Sequence, residues 1–150
     1  MAIHVHSPED LLALAGKPMG TTRWQEVDQR QVDAFADATG DRQWIHIDRE
    51  RAEAGPFGAT IAHGFLTVSL IPTFLNETVI VEKSTTMVNY GLNKVRFPAP
   101  VPVGSALRGR VDLIGARQRT TGVEATFKIT TELHGSQRPA CVAEAVIVYS

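Results

Sequence analysis

One hundred and fifty residues suffice for one domain with a sizeable core, and 43% hydrophobic with 21% charged residues is an ordinary soluble, globular composition. A formal net charge of -1 leaves no global field to recruit nucleic acid or an anionic membrane. The single cysteine, Cys141, excludes an internal disulfide and a cysteine-only metal site; with no basic stretch leading into an apolar run at the amino terminus, a cytoplasmic protein is expected.

Ser7-Pro8-Glu9-Asp10 reads as a helix start, with Ser7 as N-cap, Pro8 at the first helical position and acids in the first turn; Gly16 and Pro18 stop it. A short strand-like piece follows over Thr22 to Val27, with Trp24 as its expected anchor. Asp28 caps a second helix, Gln31 completes a capping box, and Val32, Phe35 and Ala36 supply the apolar face. Gly40 is the left-handed terminator, and Asp48 caps a short helix over Arg49 to Ala54 that ends at Gly55-Pro56.

Thr60 to Leu75 is apolar around nearly its whole circumference, which places a helix inside something. Pro72 and the polar flanks make it too short and broken to span a bilayer, where about 20 apolar residues are needed. The expectation is a buried helix whose first free N–H groups, at Gly64, open onto a site.

Beyond Asn76 the period becomes two. Thr85 to Phe97 is strand-rich, interrupted at Gly91, and Pro98-Ala-Pro100-Val-Pro102 breaks it. Leu107 to Leu113, Val123 to Ile129 and Cys141 to Ile147 then alternate apolar with polar residues. Three such runs describe an antiparallel sheet covered on one side by the apolar helix, an α+β architecture. Val142, Val146 and Val148 leave the last strand less polar outside than the others, which suits a subunit contact. No repeat, low-complexity segment or linker divides the chain, so residues 1–150 are expected to form one domain.

Asp41 and His46 share one loop directly after the Gly40 stop. A carboxylate and an imidazole at one spot can hold a water and move its protons. The same residues also suit a plainer role, Asp41 capping a turn and His46 packing. His63 is either site-lining or a helix-entry cap. Asn93 faces the site or is an ordinary strand polar residue, and Gly91 marks a bulge or a close approach of ligand. Asp41, His46 and His63 are metal-ligating types without the tight spacing of a metal motif, so no metal is expected. Thr67 and Ser69 are expected to bond back to the preceding helical turn, and Cys141 to be a core thiol.

Three blocks carry a family resemblance: Phe35-Ala-Asp-Ala-Thr-Gly-Asp41-Arg-Gln-Trp-Ile-His46-Ile-Asp48, then Gly55 to Leu66 with Ala62-His63-Gly64, then Asn93-Lys-Val-Arg96-Phe to Gly104. Together they resemble the MaoC-like dehydratases, which include the R-specific enoyl-CoA hydratases and a short NodN-like branch. The resemblance implies the hotdog fold, a helix wrapped by an antiparallel sheet, and a homodimer. It further implies that Asp41 and His46 activate the water added across a 2-enoyl thioester, and that the Gly64 N–H binds the thioester oxygen. The product would be an (R)-3-hydroxyacyl-CoA, with no cofactor beyond the coenzyme A of the substrate. His63, Gly91, Asn93 and Arg96 become candidate substrate-binding residues, Arg96 with Lys94, Arg108 and Arg110 toward the coenzyme A phosphates. Gln43-Trp44 stands where many hydratases of this kind carry Asn-Pro. A thioesterase on the same fold would need a carboxylate near the helix, and none lies between Ala59 and Asn76. A non-catalytic acyl-CoA-binding or assembly subunit is the rival from another class.

Overall fold

Alternation at every second residue sends one face of a strand into the core and leaves the other in water. The carboxy-terminal half obeys it. The computed structural model describes residues 1–150. Its strands in chain order are β1 (Ile3–Val5), β2 (Lys17–Thr21), β3 (Gln25–Glu26), β4 (Val79–Val81), β5 (Met87–Arg96), β6 (Ala106–Arg119), β7 (Gly122–Leu133) and β8 (Cys141–Tyr149). A 3-10 helix covers Pro8–Leu14, and the α-helices are α1 (Gln29–Thr39), α2 (Trp44–Ile47), α3 (Arg49–Glu53), α4 (Gly64–Ser69) and α5 (Ile71–Thr78).

The main sheet has the order β2-β6-β7-β8-β5, with β3 also paired to β6. Every pairing in it is antiparallel, while β1 and β4 form a separate parallel pair. The inner face is the expected one: Leu107, Val111 and Leu113 on β6, Val123, Ala125, Phe127 and Ile129 on β7, and Cys141, Ala143, Ala145 and Ile147 on β8 are all buried. Against it lie Leu66 of α4, Leu70 at the break, and Ile71, Phe74 and Leu75 of α5. The outer face carries cross-strand ion pairs, Arg108 to Glu132 at 2.8 Å and Arg117 to Glu124 at 2.7 Å, which at a wet surface stabilise only slightly. No helix is long and apolar enough to cross a membrane.

The central helix departs from expectation in three ways. It is two helices, because Pro72 has no N–H to offer the carbonyl of Val68, and the chain tightens at Leu70, whose N–H turns back to Thr67 at 3.2 Å. Thr60 to His63 is not helical but an extended strap: Ile61 bridges Pro102, and the Ala62 N–H donates to the Val101 carbonyl at 2.8 Å. Nor is burial all round, since Phe65 is 74% exposed. Trp24 is no buried anchor either: it lies between β2 and β3, 37% exposed, with the Arg108 guanidinium 4.4 Å above its ring. The first helix is 3-10 rather than α, its start tied by the Ser7 N–H donating to Asp10 at 2.9 Å.

Other local signals behave as read, save that the Gln31 side chain makes no return bond to complete a box with Asp28 and the Thr67 hydroxyl makes none to the preceding turn. Asp28 accepts from the Gln31 N–H at 2.8 Å, Asp48 from the Arg51 N–H at 3.1 Å, and Gly40 is left-handed at φ 83°. The Ser69 hydroxyl bonds back to the Phe65 carbonyl at 2.7 Å. Cys141 is buried, and desolvation pushes its thiol up to about 11. The apolar surplus expected on β8 lies mainly one strand over. Val146 is buried and Val142 and Val148 are half-buried, whereas Val88, Tyr90 and Leu92 of the edge strand β5 are exposed.

Gly109 is what lets α5 sit so close to β6. A Cβ there would stand 2.5 Å from the Cγ and Cδ2 atoms of Phe74. Gly109→Ala is therefore expected to destabilise the protein by about 1–3 kcal/mol through overpacking. The measurement is urea unfolding, with Gly115→Ala, where a Cβ would meet nothing within 4 Å, as the control.

Candidate active site

The loop after α1 turns sharply because Gly40 adopts a conformation that side chains other than glycine rarely take. Asp41 follows immediately and is exposed. Its carboxylate accepts from the Gln43 N–H at 3.4 Å, so it also serves the turn. His46 sits on the single turn of α2 and is only 6% exposed. Its Nδ1 lies 2.7 Å from the Ile61 carbonyl oxygen. A carbonyl only accepts, so Nδ1 carries the proton and Nε2 is left with its lone pair.

His63 is the residue before the first turn of α4, yet its side chain makes no capping bond. The ring turns away to the site. Its Nε2–H donates to the main-chain carbonyl of Asp41 at 2.9 Å, and its face stacks on His46 with centroids 3.8 Å apart and planes 24° apart. Ligand atoms of Asp41, His46 and His63 all lie within 4.8 Å of one another. These residue types could ligate a divalent cation. Two stacked imidazoles, however, direct their in-plane lone pairs nearly parallel rather than toward one point, so a cation would require one ring to turn.

Gly64 opens α4, and its N–H donates to no carbonyl of the chain. It follows His63 directly, one peptide from the ring stacked on His46. A Cβ at Gly64 would come 3.2 Å from the Phe97 ring, so a larger residue there would press on that ring.

The other expected site residues stand apart from this cluster. Gly91 lies at a register shift of β5 and lines an apolar cavity of about 410 Å³ with Val68, Ile71, Pro72, Leu92 and Ile147. Asn93 is exposed on β5 and makes no side-chain hydrogen bond. Arg96 donates to the Val95 carbonyl at 2.7 Å and borders a separate surface hollow with Lys94, Lys128 and Glu144. Arg108 and Arg110 both turn to Glu132 on the outer face of the sheet.

Gln29 is the residue that sequence reasoning missed. Its amide N–H donates to the His46 carbonyl at 2.8 Å, and its oxygen accepts from the Thr60 hydroxyl at 2.7 Å. It thus bolts α1 to both the His46 turn and the strap. Nothing in the chain marks a glutamine in the first turn of a helix for that task.

Burial is the main influence on His46 and lowers its pKa from the ordinary 6.5; His63 pushes the same way, while the Ile61 carbonyl and Asp41 oppose it. The buried imidazole is thereby kept as a free base beside a wet carboxylate.

Residues 10–133 match the family model for the MaoC like domain. The chain is 52% identical over 144 residues to 3-hydroxyacyl-thioester dehydratase Z of Mycobacterium tuberculosis, covering 95% of each chain. It is 38% identical over 149 residues to nodulation protein N of Rhizobium meliloti, covering 97% of this chain and 92% of that one. Among solved structures, the (R)-hydratase from A. caviae involved in PHA biosynthesis superposes with a TM-score of 0.73 at 24% identity, over 88% of this chain and 96% of that one. That likeness establishes the fold, an α+β hotdog.

The lowered proton affinity of His46 has a sign that can be checked. Folded protein should protonate His46 only below pH 6.5. The unfolded chain binds that proton first, so His46 contributes stability above pH 6.5 that is lost as pH falls toward the folded value. An NMR titration of the His46 ring should show a midpoint below 6.5, and urea unfolding midpoints should fall less steeply on acidification in His46→Gln than in wild type.

Proposed function

The chain belongs to the MaoC-like dehydratase family, and on that premise we propose that it is an R-specific enoyl-CoA hydratase with Asp41 and His46 as its water-activating pair. Its class is hydro-lyase. The observation that carries the assignment of the pair is the free Nε2 of His46, on a ring with a nitrogen within 4.8 Å of an Asp41 carboxylate oxygen and stacked on the residue that precedes the unbonded Gly64 amide.

A water held between the carboxylate and Nε2 has a base on one side and an anion to orient it on the other. As its oxygen bonds to C3 of the trans-2-enoyl thioester, Nε2 takes a proton and the C2–C3 π electrons move toward the thioester oxygen. The Gly64 N–H meets that oxygen as charge develops, so it acts more strongly on the transition state than on the ground state. The imidazolium then returns its proton to C2. One proton store on one face makes the addition syn, the product is an (R)-3-hydroxyacyl-CoA, and the reverse sequence is dehydration. No cofactor is needed beyond the coenzyme A of the substrate.

The acyl tail has a place in the apolar cavity of about 410 Å³ beside Val68 and Leu92, since Val68 lies about one helical turn beyond Gly64. The site lies in a homodimer formed through β5. Support for pairing there is the free edge of that strand in the sheet, together with the exposure of Val88, Tyr90 and Leu92. The working compartment is the cytoplasm.

Mixed with crotonyl-CoA, the protein should remove the enoyl absorbance without releasing free thiol, which a thioesterase would release. Asp41→Asn and His46→Gln should each lower that rate by about a hundredfold or more while remaining folded. A loss of less than tenfold in both would refute the pair, and an inactive wild type would leave a binding subunit. Sedimentation should give a dimer for the wild type and a monomer for Leu92→Lys; a monomeric wild type would end the β5 pairing.

A further inference from the structure

His63 is 2% exposed, as deep as the aliphatic core, and its Nδ1 has no hydrogen-bond partner. A phenylalanine would fill the same slot between Phe35, 4.9 Å away, and His46, 3.8 Å away, without burying an unpartnered nitrogen. Packing alone therefore does not account for an imidazole here. What the imidazole adds is one N–H, and that N–H is spent on the main-chain carbonyl of Asp41 at 2.9 Å.

We propose that His63 is a positioning residue for the Asp41–His46 pair: its N–H holds the Asp41 main chain, and its face holds the His46 ring, so the start of α4 sets the gap in which the water sits. This rests on the reading of Asp41 and His46 as the reacting pair, and replaces direct substrate contact as the role of His63. Both members of the pair depend on it in different ways. Asp41 is exposed on a turn, with a hydrogen bond through the ring of His63 tying its backbone to the core. His46 has its edge fixed by Ile61 and one face covered by His63. The titratable or charged groups facing His46 are the Asp41 carboxylate and His63 alone; α1 brings the uncharged Gln29, and the strap brings the Ile61 carbonyl.

Two variants separate the two contacts. His63→Phe keeps a flat ring against His46 and removes the N–H, whereas His63→Gln keeps an N–H and uncovers the His46 face. With crotonyl-CoA, His63→Phe should lose about a hundredfold in kcat with little change in KM. Its acid limb in kcat/KM should move up in pH only slightly, because the His46 face stays dry and only the charge effect of His63 is lost. His63→Gln should recover part of that kcat, but its acid limb and the NMR midpoint of His46 should both move up in pH, as water reaches the ring. A wild-type kcat in His63→Phe, or a loss confined to KM, would overturn the proposal. If His63→Phe does not fold, an unmoved His46 titration in His63→Gln overturns it instead. The NMR readout needs no turnover: an inactive wild type would refute the activity, whereas an unmoved midpoint would refute the positioning.

Discussion

One hydrogen bond, from Nδ1–H of His46 to the carbonyl of Ile61 at 2.7 Å, joins the two halves of the site. It does three things at once. It selects the tautomer, it leaves Nε2 free, and it anchors a helix of a single turn that could not hold its shape alone. The Ile61 N–H returns to the Ile45 carbonyl at 3.0 Å, so loop and strap are clasped in both directions. The strap in turn is held from behind, by Ala62 donating to Val101 and Val103 donating to Thr60, each at 2.8 Å.

The strap can serve as a fixed point because α4 and α5 behind it are set into the sheet. Leu66, Leu70, Phe74 and Leu75 lie against the inner faces of β6, β7 and β8, and Gly109 lets the Phe74 ring come down onto β6. Burial of such side chains contributes about 1.5–3 kcal/mol each, far more than the ion pairs on the outer face. The break at Leu70 does not weaken this seat, because Pro72 falls in the first turn of α5, where an N–H has no partner to lose.

Asp41 and His46 sit in opposite surroundings. Asp41 faces water on a turn, while His46 is enclosed by the strap, by Gln29 and by the ring of His63. Burial keeps the imidazole an unprotonated base, while the carboxylate stands open to water.

The amino-acid sequence by itself determined what depends on neighbours in the chain. Alternation settled which faces of β6, β7 and β8 are inside, and Asp28, Gly40 and Asp48 marked helix ends through their own side chains or backbone freedom. It also placed Asp41 and His46 on one loop and a glycine at the start of a core helix. The tertiary structure decided what depends on residues remote in the chain. It turned Thr60 to His63 into an extended strap through pairing with Val101 and Pro102, put Phe65 and Trp24 outside, and carried β5 to an edge beside β8. It set Gln29 under His46 across 17 positions and laid the ring of His63 on that of His46. Periodicity and capping record local preference, whereas such long-range contacts form only when the core has packed and brought those segments together.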